Sequence, residues 1–174
     1  TEDNFIEVCS TSKITYPGSG VAALAASDAN IAAVKKRMTV QTIGYDKLNE
    51  KRHAAFFVDK AGIERHMLRH AEILRPKFDS VLSAFDKHLA GKGIAAWTKP
   101  NGGYFISLDV YPGCAKRTVQ LCKEAGVTLT GAGATYPYGK DPEDKNIRIA
   151  PTFPSRDELL CLCVEISAVE KKLN

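Results

Sequence analysis

The sequence predicts a mixed α/β chain, with an α+β C-terminal domain whose sheet is flanked by helices. Short apolar runs of strand length recur, among them FIEVCS (5–10), YFISLD (104–109) and NIRIA (146–150). Between the first and the others lies a stretch, 62–90, with Ile63, Met67, Ala71, Leu74, Phe78, Leu82, Phe85 and Leu89 at steps of three and four. That spacing puts them on one face of a long helix. Strand and helix signals also mix along the whole chain, which excludes an all-α or all-β architecture.

In chain order, FIEVCS reads as a short buried strand and GVAALAAS (20–27) as a second one, rich in small residues that allow close approach. A helix follows from Ser27 or Asp28, with Ile31, Val34 and Met38 on one face. Residues 45–57 give another helix. The long helix 62–90 contains Pro76, where a kink is expected. IAAW (94–97) and YFISLD are strands joined by the turn residues Pro100, Asn101, Gly102 and Gly103. A helix over 114–125 stops at Gly126. VTLT (127–130) reads as a short strand, 131–145 as a loop and NIRIA as the last strand. Ser155 and Glu158 have the spacing of a capping box for a final helix reaching about residue 173. Residues 1–45 resemble fragments of a larger sheet and 46–174 a compact domain, so a large preceding portion is expected.

Bulk composition excludes several classes. With 24 basic and 20 acidic residues the net charge is +4, and the basic residues are scattered, so no nucleic-acid surface is expected. No run of apolar residues is long enough to span a membrane. Nothing reads as a signal peptide, and five cysteines (Cys9, Cys114, Cys122, Cys161, Cys163) in apolar or helical settings suit reduced, buried thiols; a cytoplasmic location is expected. His66 and His70 have metal-pair spacing, but no third ligand lies near them in sequence, and no metal is expected.

The chemistry concentrates in STSKITYPGSG (10–20). Lys13 sits between the hydroxyls of Ser10, Thr11 and Ser12 and the bare backbone of Gly18 and Gly20. A lysine amine is a nucleophile toward aldehydes when its charged form is disfavoured. Hydroxyls and open amides suit a phosphate. Together they suit pyridoxal 5'-phosphate, although an ordinary lysine in a Ser/Gly turn has the same composition.

STSKITYPGSGVAALAAS (10–27) resembles the cofactor-lysine segment of fold-type I, class I aminotransferases. NGGYFISLD (101–109) resembles that family's Gly-Gly hairpin, and NIRIAPTFPS (146–155) its segment with the substrate-carboxylate arginine. With RHAEILRPKFDSVL (69–82) and GATYPYG (133–139), the likeness is to the MocR-type aspartate aminotransferase group and covers nearly the whole chain. It implies the C-terminal part of a PLP-dependent transferase fold: 1–45 as a remnant of the large cofactor-binding domain and 46–174 as the small domain. It implies that Lys13 bonds the cofactor aldehyde and then moves a proton between the substrate α-carbon and cofactor C4′. It implies that Ser10 and Ser12 contact the cofactor phosphate and that Arg148 clamps the substrate α-carboxylate. Substrates would be an amino acid, with aspartate the first to test, and a 2-oxo acid, and the full-length protein would be a homodimer.

The likeness has gaps. Many class I members carry a phosphate-binding arginine eight residues after the lysine, where Val21 stands here. Backbone amides around 18–20 would substitute. The family's phosphate loop, ring-stacking aromatic and pyridinium-pairing acid lie before the lysine in its members, and residues 1–9 offer only Asp3 and Glu7. The piece alone is therefore expected to be inactive. Lys47, Lys51 and Arg52 are unassigned candidates for a second substrate carboxylate, and Tyr136 and Tyr138 for a loop bordering the site. The rival function is the effector domain of a MocR-type regulator, in which Lys13 senses the cofactor and a separate domain binds DNA.

Overall fold

The computed structural model of the chain describes residues 4–155, 158, 159 and 166. Asp3, Cys161, Cys163 and most of the stretch expected to form the final helix lie outside the described residues. The chain divides into two compact units, 1–71 and 72–174.

In the first unit, β1 (Ile6–Ser10) and β2 (Ala22–Ala26) pair antiparallel, with Ser10 opposite Ala22. This two-stranded ribbon holds the lysine turn between its strands. The expectation of a buried strand fails for β1. All five of its residues are exposed, with Val8 71% accessible, because among the described residues β2 is its one hydrogen-bonded neighbour. Cys9 is likewise exposed rather than buried. Ser27 caps α1 (Asp28–Met38) by accepting from the Asn30 amide, and Lys35, Lys36 and Arg37 lie in its last turn, where cations suit the helix C-terminus. Asp46 caps α2 (Lys47–Phe57) through the Asn49 amide at 3.0 Å. Gly62 then lets α3 (Lys60–His88) start against the end of α2: a Cβ there would lie 1.8 Å from the Phe57 carbonyl oxygen.

α3 continues through Pro76 into the second unit. Its apolar stripe is core only toward its C-terminal end. Val81, Ala84 and Phe85 are buried there, as is Leu89 just beyond the helix, while Met67 in the first half stays 45% exposed. The stripe's spacing predicts a face; what covers that face is decided by tertiary neighbours.

The second unit carries a three-stranded antiparallel sheet in the order β3 (Ala95–Trp97), β4 (Ile106–Val110), β5 (Asn146–Ile149). Strand alternation sorts its faces. Ile106, Leu108, Val110, Ile147 and Ile149 are buried against Phe85, Leu89 and α4 (Ala115–Glu124), which contributes Ala115 and Cys122. Leu159 and Ile166 complete this core. Ser107, Asp109, Asn146 and Arg148 occupy the other face. Residues 127–130 form no strand, contrary to expectation. Val127 and Leu129 pack against the core, but their backbone does not join the ladder. The capping box is present, with the Ser155 amide donating to Glu158 Oε2 at 2.7 Å and the Glu158 amide to Ser155 Oγ at 3.3 Å.

Candidate active site

The lysine turn is built from hydroxyl groups. Ser10 Oγ and Ser12 Oγ are 2.9 Å apart, and the Ser12 amide donates to Ser10 Oγ at 3.2 Å. Lys13 follows directly and is exposed. Thr11 closes the turn at its base: its amide donates to the Val21 carbonyl at 2.8 Å, and its Oγ1 accepts from the Val21 amide at 2.8 Å. Gly20 passes so close to Ser12 that a Cβ would lie 2.3 Å from Ser12 Oγ and 2.9 Å from its Cα. Gly18 adopts φ +77, a left-handed conformation that glycine takes without strain. Among the amides expected to replace the arginine missing at Val21, that of Ser19 is committed to the Tyr16 carbonyl at 3.2 Å.

Residues that sequence reasoning left unassigned hold this turn. Thr15, 2% accessible, places its hydroxyl 2.9 Å from His53 Nε2 and 3.1 Å from Thr11 Oγ1. The Asn49 carbonyl, 3.0 Å from His53 Nδ1, can only accept, so Nδ1 carries a proton. In the neutral ring, Nε2 is then the acceptor for the Thr15 hydroxyl. Asn49 Nδ2 donates to the Ser19 carbonyl at 2.8 Å. His66 Nε2 lies 3.2 Å from the Thr15 carbonyl and so donates to it. The Tyr16 ring sits among His53, Phe56, Phe57 and His66 at centroid separations of 5.4, 5.6, 5.9 and 5.7 Å. Edge and tilted packing of this kind adds to simple burial. His66 stacks on His70 at 4.2 Å; burial, and then the neighbouring His66, lower the His70 pKa below its ordinary 6.5. His66 thus packs against the turn, and His70 packs against His66. The one sequence signal for this network was the i, i+4 pairing of Asn49 with His53 and of His66 with His70, which places each pair on one helix face.

The second unit presents Arg148 opposite Ser107 on the polar face of the sheet. Its guanidinium lies 4.5 Å from the Phe105 ring centroid, a cation–π contact. Its Nε is buried with no hydrogen-bond partner, and Arg148 forms no ion pair among the described residues. A buried guanidinium donor left unpaired is costly, and a carboxylate would satisfy it in the bidentate geometry that planar fork favours. Next to it, Asn146 Nδ2 donates to Asp109 Oδ1 at 2.6 Å and to Ser107 Oγ at 2.8 Å, and Thr135 donates to Asn146 Oδ1 at 2.5 Å. Asp141 accepts from the amides of Glu143, Lys145 and Asn146. Partial burial would raise the Asp141 pKa. Those amides and the Lys145 charge outweigh it and hold the carboxyl below its ordinary 3.8. On the C-terminal side, Lys77 Nζ donates to the carbonyls of Thr152 and Pro154, both at 2.8 Å, fixing the segment after Arg148.

Tyr136 is half-buried and Tyr138 fully exposed in their loop. Lys47, Lys51 and Arg52 lie on α2 and are exposed. Glu7 is exposed on β1.

The family model described as aspartate amino-transferase matches residues 2–174. The chain belongs to that aspartate aminotransferase family. A Mycolicibacterium smegmatis protein bearing an aminotransferase name is 52% identical over 170 residues, 94% of this chain and 40% of the relative. An aspartate aminotransferase of Corynebacterium glutamicum is 44% identical over 99% of this chain and 41% of its own length. The crystal structure of a Corynebacterium diphtheriae protein described as an aminotransferase superimposes with a TM-score of 0.89 at 48% identity, covering 95% of this chain and 41% of that one. The chain therefore spans about two fifths of the length of the family relatives it matches.

Proposed function

We propose that this chain is the C-terminal portion of a pyridoxal-phosphate-dependent aminotransferase, which moves an amino group between an aspartate-like amino acid and a 2-oxo acid. The observation that carries it is the Lys13 turn. In a family of aminotransferases, one exposed lysine follows two serine hydroxyls held 2.9 Å apart, over a glycine that a side chain could not replace. The donor set fits the cofactor. Ser10 and Ser12 supply hydroxyls for a phosphate, Gly20 keeps the ground between them open, and Lys13 supplies an amine for the aldehyde.

When bound, the cofactor would supply an electron sink for the charge left at a substrate α-carbon. The chain's own residues do the rest. Ser10 and Ser12 bind phosphate oxygens. Lys13 Nζ takes and returns the α-carbon proton, acting as the general base and acid. Arg148 binds the α-carboxylate through its guanidinium and orients the Cα bonds. We assign residues 1–45 to the large cofactor-binding domain of the full protein and 46–174 to its small domain. The exposed faces of β1 and β2 are then surfaces that the rest of the large domain would cover. We further place the protein in the MocR-type aspartate aminotransferase group, on the ordered motifs from Ser10 to Ser155, as a cytoplasmic homodimer. The regulator reading draws no support from these relatives, which carry aminotransferase names.

The test is cofactor trapping in the full-length protein. Borohydride reduction after incubation with pyridoxal phosphate should leave one stoichiometric adduct, mapped by peptide mass to Lys13. Lys13→Ala should lose the adduct and lower aspartate–2-oxoglutarate turnover by about a hundredfold or more, the scale of acid–base catalysis. An adduct spread over several lysines would overturn the reading.

A further inference from the structure

The lysine turn is gripped at two points by one helix face. Asn49 and His53, four residues apart on α2, reach residues at opposite ends of the segment 15–19: His53 Nε2 meets the Thr15 hydroxyl at 2.9 Å, and Asn49 Nδ2 meets the Ser19 carbonyl at 2.8 Å. The two are themselves joined, since the Asn49 carbonyl accepts from His53 Nδ1 at 3.0 Å. His53 is 9% accessible and Thr15 2%, so neither group has water as a ready substitute partner. Thr15 is also the residue whose amide closes back on the Thr11 carbonyl at 2.9 Å, and the Ile14 amide does the same at 2.8 Å. Lys13 therefore sits inside a one-turn loop whose far end is fixed by the Thr15 side chain.

We propose that His53 is a positioning residue for Lys13: through the Thr15 hydroxyl it fixes the turn that aims the lysine amine. Neither His53 nor Thr15 touches the reacting atoms in this assignment. Their role is to restrict where Lys13 Nζ can go, and proton transfer at a carbon is sensitive to misplacement of about 1 Å. The chemistry of the grip is specific. It needs a hydroxyl at 15 and, at 53, a ring or amide with an acceptor where Nε2 stands.

This inference rests on Lys13 being the cofactor lysine, and the test separates the two. The full-length protein is made as Thr15→Val, Thr15→Ser, His53→Phe, His53→Gln and the Thr15→Val/His53→Phe double variant. Valine keeps the shape of threonine without the hydroxyl, and phenylalanine keeps the ring packing against Tyr16 without the nitrogens. Amide hydrogen exchange in the cofactor-free protein is followed at 11–16 and, as an internal reference, at 81–85, 106–110 and 146–149. Thr15→Val and His53→Phe should speed exchange at 11–16 by about fivefold, one net hydrogen bond's worth, and leave the reference segments unchanged. The double variant should fall short of the sum of the two singles, because both lose the Thr15–His53 contact, while Thr15→Val alone also loses the contact with Thr11 Oγ1 and His53→Phe alone the one with the Asn49 carbonyl. Thr15→Ser and His53→Gln should stay near wild type. In turnover, the two disruptive variants should lower kcat about tenfold with the amino-acid KM unmoved. Unchanged exchange at 11–16, equal acceleration in the reference segments, or full additivity in the double variant would overturn the proposal. Failure of the cofactor reading shows separately, as wild-type protein that traps no cofactor on Lys13 while its exchange pattern responds as described.

Discussion

Lys13 and Arg148 are held by opposite means. Arg148 stands on a strand whose alternate residues, Ile147 and Ile149, are buried in a core shared with Phe85, Leu89, Ile106 and Leu108. Its backbone is fixed by apolar packing, and polar groups only trim its surroundings. Lys13 lies between two strands whose residues are largely exposed. Its turn is fixed by single hydrogen bonds from Thr11, Thr15, His53, Asn49 and His66, and by the rings around Tyr16. A packed core tolerates the loss of any one polar contact. A hydrogen-bonded turn depends on each of a few. The surroundings of Arg148 should thus survive perturbations that undo the Lys13 turn, and the reverse should hold only for core mutations.

The largest effect expected from this contrast is in the core. Phe85 is fully buried and lies 5.5 Å from the Trp97 ring, so Phe85→Ala removes a large side chain from a packed interior. It should cost about 3–5 kcal/mol of unfolding free energy. Val8→Ala, on a strand residue 71% accessible in this chain, should stay within about 0.5 kcal/mol when the chain is studied by itself. Urea unfolding of the 174-residue chain measures both. Equal losses would mean that β1 is as deeply packed as the second unit's core.

A smaller and more local effect is expected from Gly20→Ala. The new Cβ would meet Ser12 Oγ at 2.3 Å and Ser12 Cα at 2.9 Å. Ser12 would have to rotate away from Ser10, ending their 2.9 Å contact, and the backbone would have to shift. The strain, about 1–3 kcal/mol, should appear as roughly tenfold or greater weakening of pyridoxal phosphate affinity in a cofactor titration. Gly102→Ala is the matched control in the other unit. A methyl group there would have nothing within 4 Å, and Gly102 has no positive φ, so affinity and stability should both hold.

How far the sequence reveals these two regions follows from the same difference. The arginine strand was legible because alternation in ISLDV and NIRI states which residues face the core, and local pattern decides the answer. The Ser155–Glu158 capping box was legible for the same reason: partner and cap are three residues apart. The lysine turn was legible as a motif and not as a structure. Its hydroxyls and glycines are contiguous, but the Thr15–His53 contact spans 38 residues and the His66–Thr15 contact 51, and no periodicity announces either. FIEVC was misjudged because burial belongs to a strand's neighbours, not to its own residues. VTLT has strand composition, yet composition does not supply a ladder partner.

The smallest effect separates the two regions by acid. His70 is held below its ordinary 6.5 by burial and by His66, so its neutral form belongs to the folded state. A depressed histidine contributes stability that is present above 6.5 and is lost as the pH falls through the folded value. Asp141 follows the same sign at a lower pH. Its folded value lies below 3.8, so its contribution is present above 3.8 and disappears only as the pH falls further. Acidification should therefore loosen the histidine-packed lysine turn first, somewhere below 6.5, while the Asp141 loop and the Asn146 network beside Arg148 persist to below 3.8. Hydrogen exchange at 11–16 and at 143–149, corrected for the intrinsic pH dependence of exchange and compared at pH 7, 5 and about 3.5, resolves the order. His70→Phe should abolish the first step and leave the second. If protection in both segments falls together, the turn and the strand are one cooperative unit in the full protein, and the division between a polar grip and an apolar core does not set their stability.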